Sequence, residues 1–229
     1  MIDILLAGVG GQGTVLAAKV LAQAAQSKGW QVRTAETIGM AQRGGNVTSH
    51  VRMGSNGEAI YSPLITPGTA DMVIALEPGE AARALPYLAP GGVLVTATTA
   101  IQPVTAALAS QPYRAGDVVA ALANSLQAEA SREQAAEVAV ASSAATTSTD
   151  GVEGYPVPLF IPVDDEALVR EAGAGSRKSL NMMLLAVAVA QGRVPLTVDE
   201  LKDAVRACVK PQFVAMNLAA IDTAVANFG

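Results

Sequence analysis

The first residues whose spacing could serve ligand binding are the glycines at positions 8, 10 and 13, which fit G-x-G-x-x-G. They follow a mostly apolar run, Ile2 and Ile4–Ala7, and precede a helical pattern. Gly8 would allow a tight turn, Gly10 a close approach of backbone to a ligand, and Gly13 close packing of the helix on the strand. The free N–H groups at that helix start would suit an anion.

The glycine pattern alone leaves two interpretations open. The glycines could serve only to pack the strand against the helix, or they could form a nucleotide site. Glu36 closes the next apolar-rich strand, near the place where a ribose-binding carboxylate would lie. One hypothesis is therefore a stand-alone dinucleotide-binding protein that uses Gly8, Gly10, Gly13 and Glu36.

A second glycine-rich stretch, Gly39-Met-Ala-Gln-Arg-Gly-Gly45, leads into a strand that carries Arg52. Arg43 and Arg52 could bind an anionic ligand, such as a carboxylate or a phosphate, or a carboxylate of a partner. Solvent-facing or intrachain ion pairs are the alternative for both arginines. The pair Arg177 and Lys178 could add a second anion contact or simply form a solvated loop.

Other polar residues allow both functional and structural interpretations. Gln12 and Gln42 could bind a ligand or the backbone of a partner, or could stabilise their own loops. His50 could be an acid–base group, although a lone histidine more often makes structural hydrogen bonds. Glu77 lies at the ligand-binding edge of an α/β sheet but could equally cap the helix that Pro78 begins. We expect Cys208 to be packed and inert.

Composition limits the classes of function. With 229 residues and 51% hydrophobic content the chain can form one sizeable α/β core. A net charge of -5 and 3% aromatic residues argue against nucleic-acid binding. A single cysteine and a single histidine exclude internal disulfides, cysteine-ligated iron–sulfur clusters and histidine-rich metal sites. No apolar run approaches the ~20 residues of a membrane span. Without an export signal, we expect a cytoplasmic protein.

These candidate residues need a scaffold, and the strand–turn–helix rhythm predicts one. We expect a three-layer α/β/α, Rossmann-like domain with a mostly parallel or mixed sheet and a helical C-terminal region. Residues 59–61 would be the return strand of a hairpin, and residues 157–162 an edge strand. A flexible insertion is predicted at about 128–154, after a helix that ends near Gln127. Further strands are predicted at 31–36, 47–53, 71–77 and 93–96. Helices are predicted at 15–28, 80–88, 116–127, 164–172 and 179–191, and two more begin at 197 and 211.

The second glycine stretch with Ser49–Arg52 resembles the gamma-type domain of the 2-oxoacid:ferredoxin oxidoreductases, and most of all the small (beta) subunits of the indolepyruvate enzymes. The resemblance makes residues 1–229 one domain of this type, apart from the insertion, which is longer and richer in alanine than we expect for the family. The combination of motifs is more specific for the superfamily than for the substrate. Further stretches match in the same order: Gly8–Gly13, Tyr61–Ile65, Ala70–Asp71, Ala75–Glu77, Asn181–Met182 and Asn217–Ala219.

The resemblance implies a small subunit whose larger partner carries thiamine diphosphate and iron–sulfur clusters. Such a complex oxidatively decarboxylates a 2-oxoacid, here indolepyruvate or another aryl pyruvate, passes electrons to ferredoxin and yields an acyl-CoA. This chain would hold no cofactor and would be inactive alone. Its unpartnered interface would favour a homodimer in isolation. A non-enzymatic scaffold of the same fold is the alternative. No catalytic residue or metal ligand is predicted, and the candidates for the margin of the active site or the partner interface are Gly10, Gly11, Gln12, Gly13, Gly39, Gln42, Arg43, Gly44, Gly45 and Arg52.

Overall fold

The computed structural model describes residues 1–39, 45–101, 113–143, 158–173 and 177–229. Within these residues, one sheet has six strands: β1 (Ile2–Val9), β2 (Gln31–Ile38), β3 (Asn46–Gly54), β4 (Ala70–Ala75), β5 (Leu88–Ala97) and β6 (Leu159–Val163). The same residues contain seven α-helices: α1 (Thr14–Ser27), α2 (Pro78–Ala84), α3 (Ala115–Ser143), α4 (Asp165–Glu171), α5 (Leu180–Ala190), α6 (Val198–Cys208) and α7 (Pro211–Phe228). Short 3-10 turns occupy Leu85–Tyr87 and Arg177–Ser179.

The sheet is mixed, as predicted, with the strand order β2-β3-β1-β4-β5-β6. β1, β4, β5 and β6 run parallel, whereas β3 runs antiparallel to both of its neighbours. The prediction of a return strand at 59–61 is wrong, because those residues form no strand. Side chains hold this segment instead: the N–H of Ile60 donates to Gln31 Oε1 at 3.4 Å, and that of Ile65 donates to His50 Nδ1 at 3.2 Å.

Helices cover the sheet on both faces, and β1 is buried throughout. Alternate residues of β1 point to opposite faces, so Ile4 and Leu6 join the core beneath α1 and α5, while Leu5 packs on the side of α2 and α3. All residues of α5 up to Val189 are buried. In the described part of the chain, no helix combines the length and apolar character that a membrane span requires.

The helix boundaries agree with their sequence signals in most places. Thr197 and Glu200 form a complete capping box at the start of α6, and Asp164 caps α4 through the N–H of Ala167 at 3.0 Å. The predicted end of a helix near Gln127 is wrong, because α3 continues to Ser143. Its second half is rich in alanine, glutamate and glutamine, which favour helix, and extending an existing helix carries no nucleation cost. The remainder of the predicted flexible insertion, residues 144–154, lies outside the described residues.

Candidate functional site

The loop between β1 and α1 has a backbone that only glycine adopts readily. Gly11 has a φ of 100° and Gly13 a φ of 83°, both in the left-handed region. Gly13 is the N-cap of α1 and provides no side chain to bind the first N–H groups of the helix. The start of α1 therefore presents N–H groups and the positive end of the helix dipole.

Gln12 holds this loop in place. Its Oε1 accepts a hydrogen bond from the N–H of Val9 at 2.6 Å, and its Nε2 donates to the carbonyl oxygen of Leu76 at 2.8 Å. The amide thus ties the end of β1 to the segment that follows β4. Of the two interpretations of Gln12, the structure supports the one in which it stabilises its own loop.

The two glycine-rich stretches lie side by side. The N–H of Gly10 donates to the carbonyl oxygen of Gly45 at 2.8 Å, and that of Gly39 donates to Asn46 O at 2.8 Å. A Cβ built on Gly39 would lie 2.1 Å from Asn46 Oδ1, so a larger residue there would have to displace the Asn46 side chain. The remaining candidates of this stretch, Gln42, Arg43 and Gly44, lie outside the described residues.

A cavity of about 370 Å³ opens beside the glycine loop. Arg177 and Lys178 reach it from the turn before α5, and Ile101 reaches it from the segment after β5. Two cationic side chains thus line one space with the glycine loop that leads into α1, which gives the cavity the electrostatics of an anion site. The full lining is Val9, Gly10, Gly11, Gln12, Ile101, Arg177, Lys178 and Leu180.

A buried carboxylate that sequence reasoning missed lies behind this cavity. Asp165, the first residue of α4, is fully buried, and its Oδ2 forms an ion pair with Arg177 Nη2. Its Oδ1 accepts hydrogen bonds from the N–H groups of Thr98 at 3.1 Å and Thr99 at 2.9 Å, just after β5. In the sequence Asp165 is one of two consecutive aspartates at a helix start, and that position predicts only a cap.

Arg52 lies elsewhere, which corrects its place among the candidates. Its Nε donates to Asp3 Oδ1 at 2.9 Å, and its Nη1 donates to Ser62 O at 3.0 Å. Asp3 lies at the start of β1, whereas the glycine loop follows its end, six residues or about 20 Å away. Arg52 therefore forms an intrachain ion pair and does not line the glycine-loop cavity.

His50 and Glu77 are explained by structural contacts. Burial lowers the pKa of His50, and its Nδ1 accepts the N–H of Ile65, so the ring is neutral with its proton on Nε2. The Tyr87 ring lies edge-on to it at 6.0 Å. Glu77 is the N-cap of α2, with Oε1 accepting the N–H of Glu80 at 2.6 Å. The cap interpretation of Glu77 is confirmed.

The geometry does not support a dinucleotide site built on Glu36. β3 lies between β2 and β1, so Glu36 pairs with Ser49, which in turn pairs with Leu6. Two interstrand spacings, about 9.5 Å, separate Glu36 from β1. A dinucleotide-binding β2 lies next to β1, where its carboxylate can reach the ribose. The inserted antiparallel strand prevents that arrangement.

Cys208 is partly buried, and burial raises the pKa of its thiol. It lines a second, mostly apolar cavity of about 380 Å³ together with Leu16, Phe213 and Lys178, which also lines the glycine-loop cavity. A raised thiol pKa keeps the reactive thiolate scarce. Among the described side chains, histidine, cysteine and acidic residues form no cluster of three that could hold a metal ion.

Comparison with known proteins places these features in a family. The model of the family described as pyruvate ferredoxin/flavodoxin oxidoreductase matches residues 3–227. Indolepyruvate oxidoreductase subunit IorB of Archaeoglobus fulgidus is 31% identical over 222 residues, 96% of this chain and 92% of the relative. The gamma subunit of a keto/oxoacid ferredoxin oxidoreductase from Geobacter sulfurreducens shares the fold, with a TM-score of 0.58 and 19% identity over 99% of this chain and 97% of that one.

A larger protein contains the same fold as one part. The 2-oxoglutarate:ferredoxin oxidoreductase of Magnetococcus marinus aligns with a TM-score of 0.61 at 19% identity. The alignment covers 98% of this chain but only 30% of the larger one. The fold of this chain therefore occurs both as a separate subunit and within a longer polypeptide.

Proposed function

This chain belongs to the pyruvate ferredoxin/flavodoxin oxidoreductase family, and from that premise we propose that it is the small subunit of an oxidoreductase for indolepyruvate or a related aryl 2-oxoacid. The complex oxidatively decarboxylates the 2-oxoacid to an acyl-CoA and reduces ferredoxin. The name of the Archaeoglobus relative, aligned over nearly the whole chain, supports indolepyruvate as the first substrate to test.

The thiamine and iron–sulfur chemistry belongs, in this proposal, to a larger partner subunit. The chain has one cysteine, so it cannot supply the several thiolates that hold a cluster. Its described residues contain no group of acidic, histidine or cysteine side chains suited to the metal ion that would anchor a thiamine diphosphate. Both observations support placing the two cofactors on the partner, with binding and assembly as the contribution of this chain.

The glycine-loop cavity is the observation that carries the role of this subunit. The glycine loop before α1, Arg177 and Lys178 line a space large enough for a diphosphate group. Coenzyme A carries such groups, and the Magnetococcus structure is described with coenzyme A bound. We assign this cavity to a phosphate group of coenzyme A, with the exposed part of the Arg177 guanidinium as a donor.

We propose that the partner docks on the side of the domain where β1 and β2 end, which is the side that carries this cavity. Large apolar side chains are exposed there: Val15 on the first turn of α1, Ile38 at the end of β2, Ile101 in the cavity wall and Phe213 on α7. Exposed apolar side chains around a functional cavity are typical of a protein interface. Docking on this side would place coenzyme A between the two subunits.

Co-purification tests the assembly. Tagged protein isolated from its native cytosol should bring down a large chain in stoichiometric amount, with iron–sulfur absorbance and thiamine diphosphate. The complex should then reduce ferredoxin with indolepyruvate and coenzyme A. An isolated chain that bound thiamine diphosphate and oxidised 2-oxoacids alone would contradict the proposal.

Two substitutions on opposite sides locate the docking face. Ile38→Asp should abolish binding of the large chain, because it places a charge in an apolar contact. Tyr61→Asp is the control, since Tyr61 is also a large side chain and is 94% exposed, but it lies at the opposite ends of the strands, beside the Arg52–Asp3 pair. If Tyr61→Asp abolished binding and Ile38→Asp did not, the docking face would be the opposite side.

A further inference from the structure

Arg177 is the cation of the glycine-loop cavity whose position is fixed by a buried group. Its Nη2 end is buried against Asp165, while about a third of its side chain stays exposed in the cavity. A guanidinium is a planar fork of five N–H donors, so a carboxylate bound at one end sets the direction of the others. The orientation of Arg177 is therefore determined from behind the cavity.

Asp165 is itself held rigidly. It is fully buried, and Oδ1 accepts two backbone N–H groups from Thr98 and Thr99, while Oδ2 meets Arg177. The N–H of Thr98 also donates to Val163 O at 3.0 Å, which joins the ends of β5 and β6. Two strand ends and the first residue of α4 thus converge on one carboxylate. A long, flexible side chain anchored to such a point loses less entropy when it binds a ligand.

The neighbouring carboxylate shows that this arrangement is specific to position 165. Asp164 is exposed, and its Oδ1 only caps α4 through the N–H of Ala167. Capping α4 therefore does not require Asp165. A buried carboxylate without a cation would be costly, so the ion pair with Arg177 offsets the burial of Asp165.

We propose that Asp165 is a positioning residue, which aims the guanidinium of Arg177 at an anionic phosphate group of the ligand in the glycine-loop cavity. This inference rests on the proposed function, because it deepens the role of the same cavity. Asp165 does not touch the ligand. It acts through Arg177, so the effects of substituting the two residues on ligand binding should not add.

Calorimetric titration of the chain of residues 1–229 with coenzyme A and with inorganic diphosphate tests the proposal. Asp165→Asn keeps an oxygen for Thr98 and Thr99 but removes the charge that holds Arg177. We expect about tenfold weaker binding in Asp165→Asn, a similar loss in Arg177→Gln, and no further loss in the double variant. Asp164→Asn is the control and should bind like wild type, because asparagine caps helices as well as aspartate.

Each other outcome overturns the inference. If Asp165 had only a structural role, Asp165→Asn would lower the Tm. It would also weaken binding by the same factor in wild type and in the Arg177→Gln variant. Unchanged or tighter binding in Asp165→Asn would show that the carboxylate only offsets the charge of Arg177. Failure of wild type to bind either probe would also refute it. The proposed function is judged separately: if the wild-type complex with its large subunit turns over no 2-oxoacid, that function fails whatever the titrations show.

Discussion

The side-chain amide of Asn181, the second residue of α5, donates a hydrogen bond to the carbonyl oxygen of Gly13 at 3.0 Å. A Cβ on Gly13 would lie 2.6 Å from the same amide nitrogen. The requirement for glycine at the start of α1 therefore comes from contact with α5 as well as from a left-handed backbone. Sequence reasoning attributed it to packing of the helix on the strand, which is a different neighbour.

We predict that Gly13→Ala costs more stability than Gly11→Ala. Both glycines have a positive φ, which costs an L-residue about 1–2 kcal/mol. The space around Gly11 is open, whereas a methyl group at Gly13 must displace Asn181. Urea denaturation gives both free energies of unfolding. Equal losses would show that the contact with Asn181 adds nothing to the backbone strain.

Gln12→Glu should destabilise the protein by about 1–3 kcal/mol, because an oxygen would replace the Nε2 donor that faces Leu76 O and leave that carbonyl without its partner. The exposed Gln26→Ala in α1 is the control and should change stability by less than about 0.5 kcal/mol. Thermal unfolding followed by circular dichroism measures both. A Tm for Gln12→Glu within error of that of Gln26→Ala would mean that the bridge does not hold the loop.

His50 should titrate below its ordinary pKa of about 6.5, because burial disfavours the charged ring. The unfolded chain then binds more protons than the folded one near that pH. The contribution of neutral His50 to stability is therefore present above about pH 6.5 and is lost as the pH falls below it. The chain has one histidine, so NMR can follow its imidazole signal without assignment. A measured pKa above 6.5 would contradict the burial argument.

The same effect should appear in stability measurements. His50→Gln keeps an acceptor for Ile65 N–H but cannot charge, so acidification below about pH 6.5 should destabilise wild type relative to this variant. Glu80 and Asp71, whose pKa values burial raises, act in the opposite direction. Both proteins contain these two carboxyl groups, so their contribution cancels in the difference. Denaturant titrations at several pH values between about 7.5 and 5.5 measure this difference in the free energy of unfolding between wild type and His50→Gln.

Arg52→Gln should reduce stability by about 1–3 kcal/mol and leave binding of coenzyme A unchanged. The loss arises because Asp3, which is nearly buried, would keep its charge without its partner. Arg33→Gln, on the exposed edge strand β2, is the control and should be nearly neutral. Denaturation and calorimetric titration separate the two properties. Weaker binding of coenzyme A in Arg52→Gln at unchanged stability would show that Arg52 does contribute to the ligand site.

Local signals in the sequence were sufficient for most elements of the fold. The apolar run before Gly8, the capping box at Thr197 and the proline that begins α7 each depend on neighbours a few residues away. The family could likewise be identified from short motifs in their order. The helix beyond Gln127 was misread because its alanine-rich composition resembles a linker, although the same residues favour helix.

Only the tertiary structure decided which charged groups share the cavity. Arg52 lies close to the second glycine stretch in sequence. Six residues of extended strand nevertheless separate them, so Arg52 lies at the opposite end of β3. Arg177 is more than 160 positions from Gly13, and the packing of α5 brings the turn before it beside the glycine loop. Asp165 joins them because α4 begins where β5 and β6 end. Local propensity fixes helices and strands within a few residues, whereas long-range packing fixes which of their ends meet.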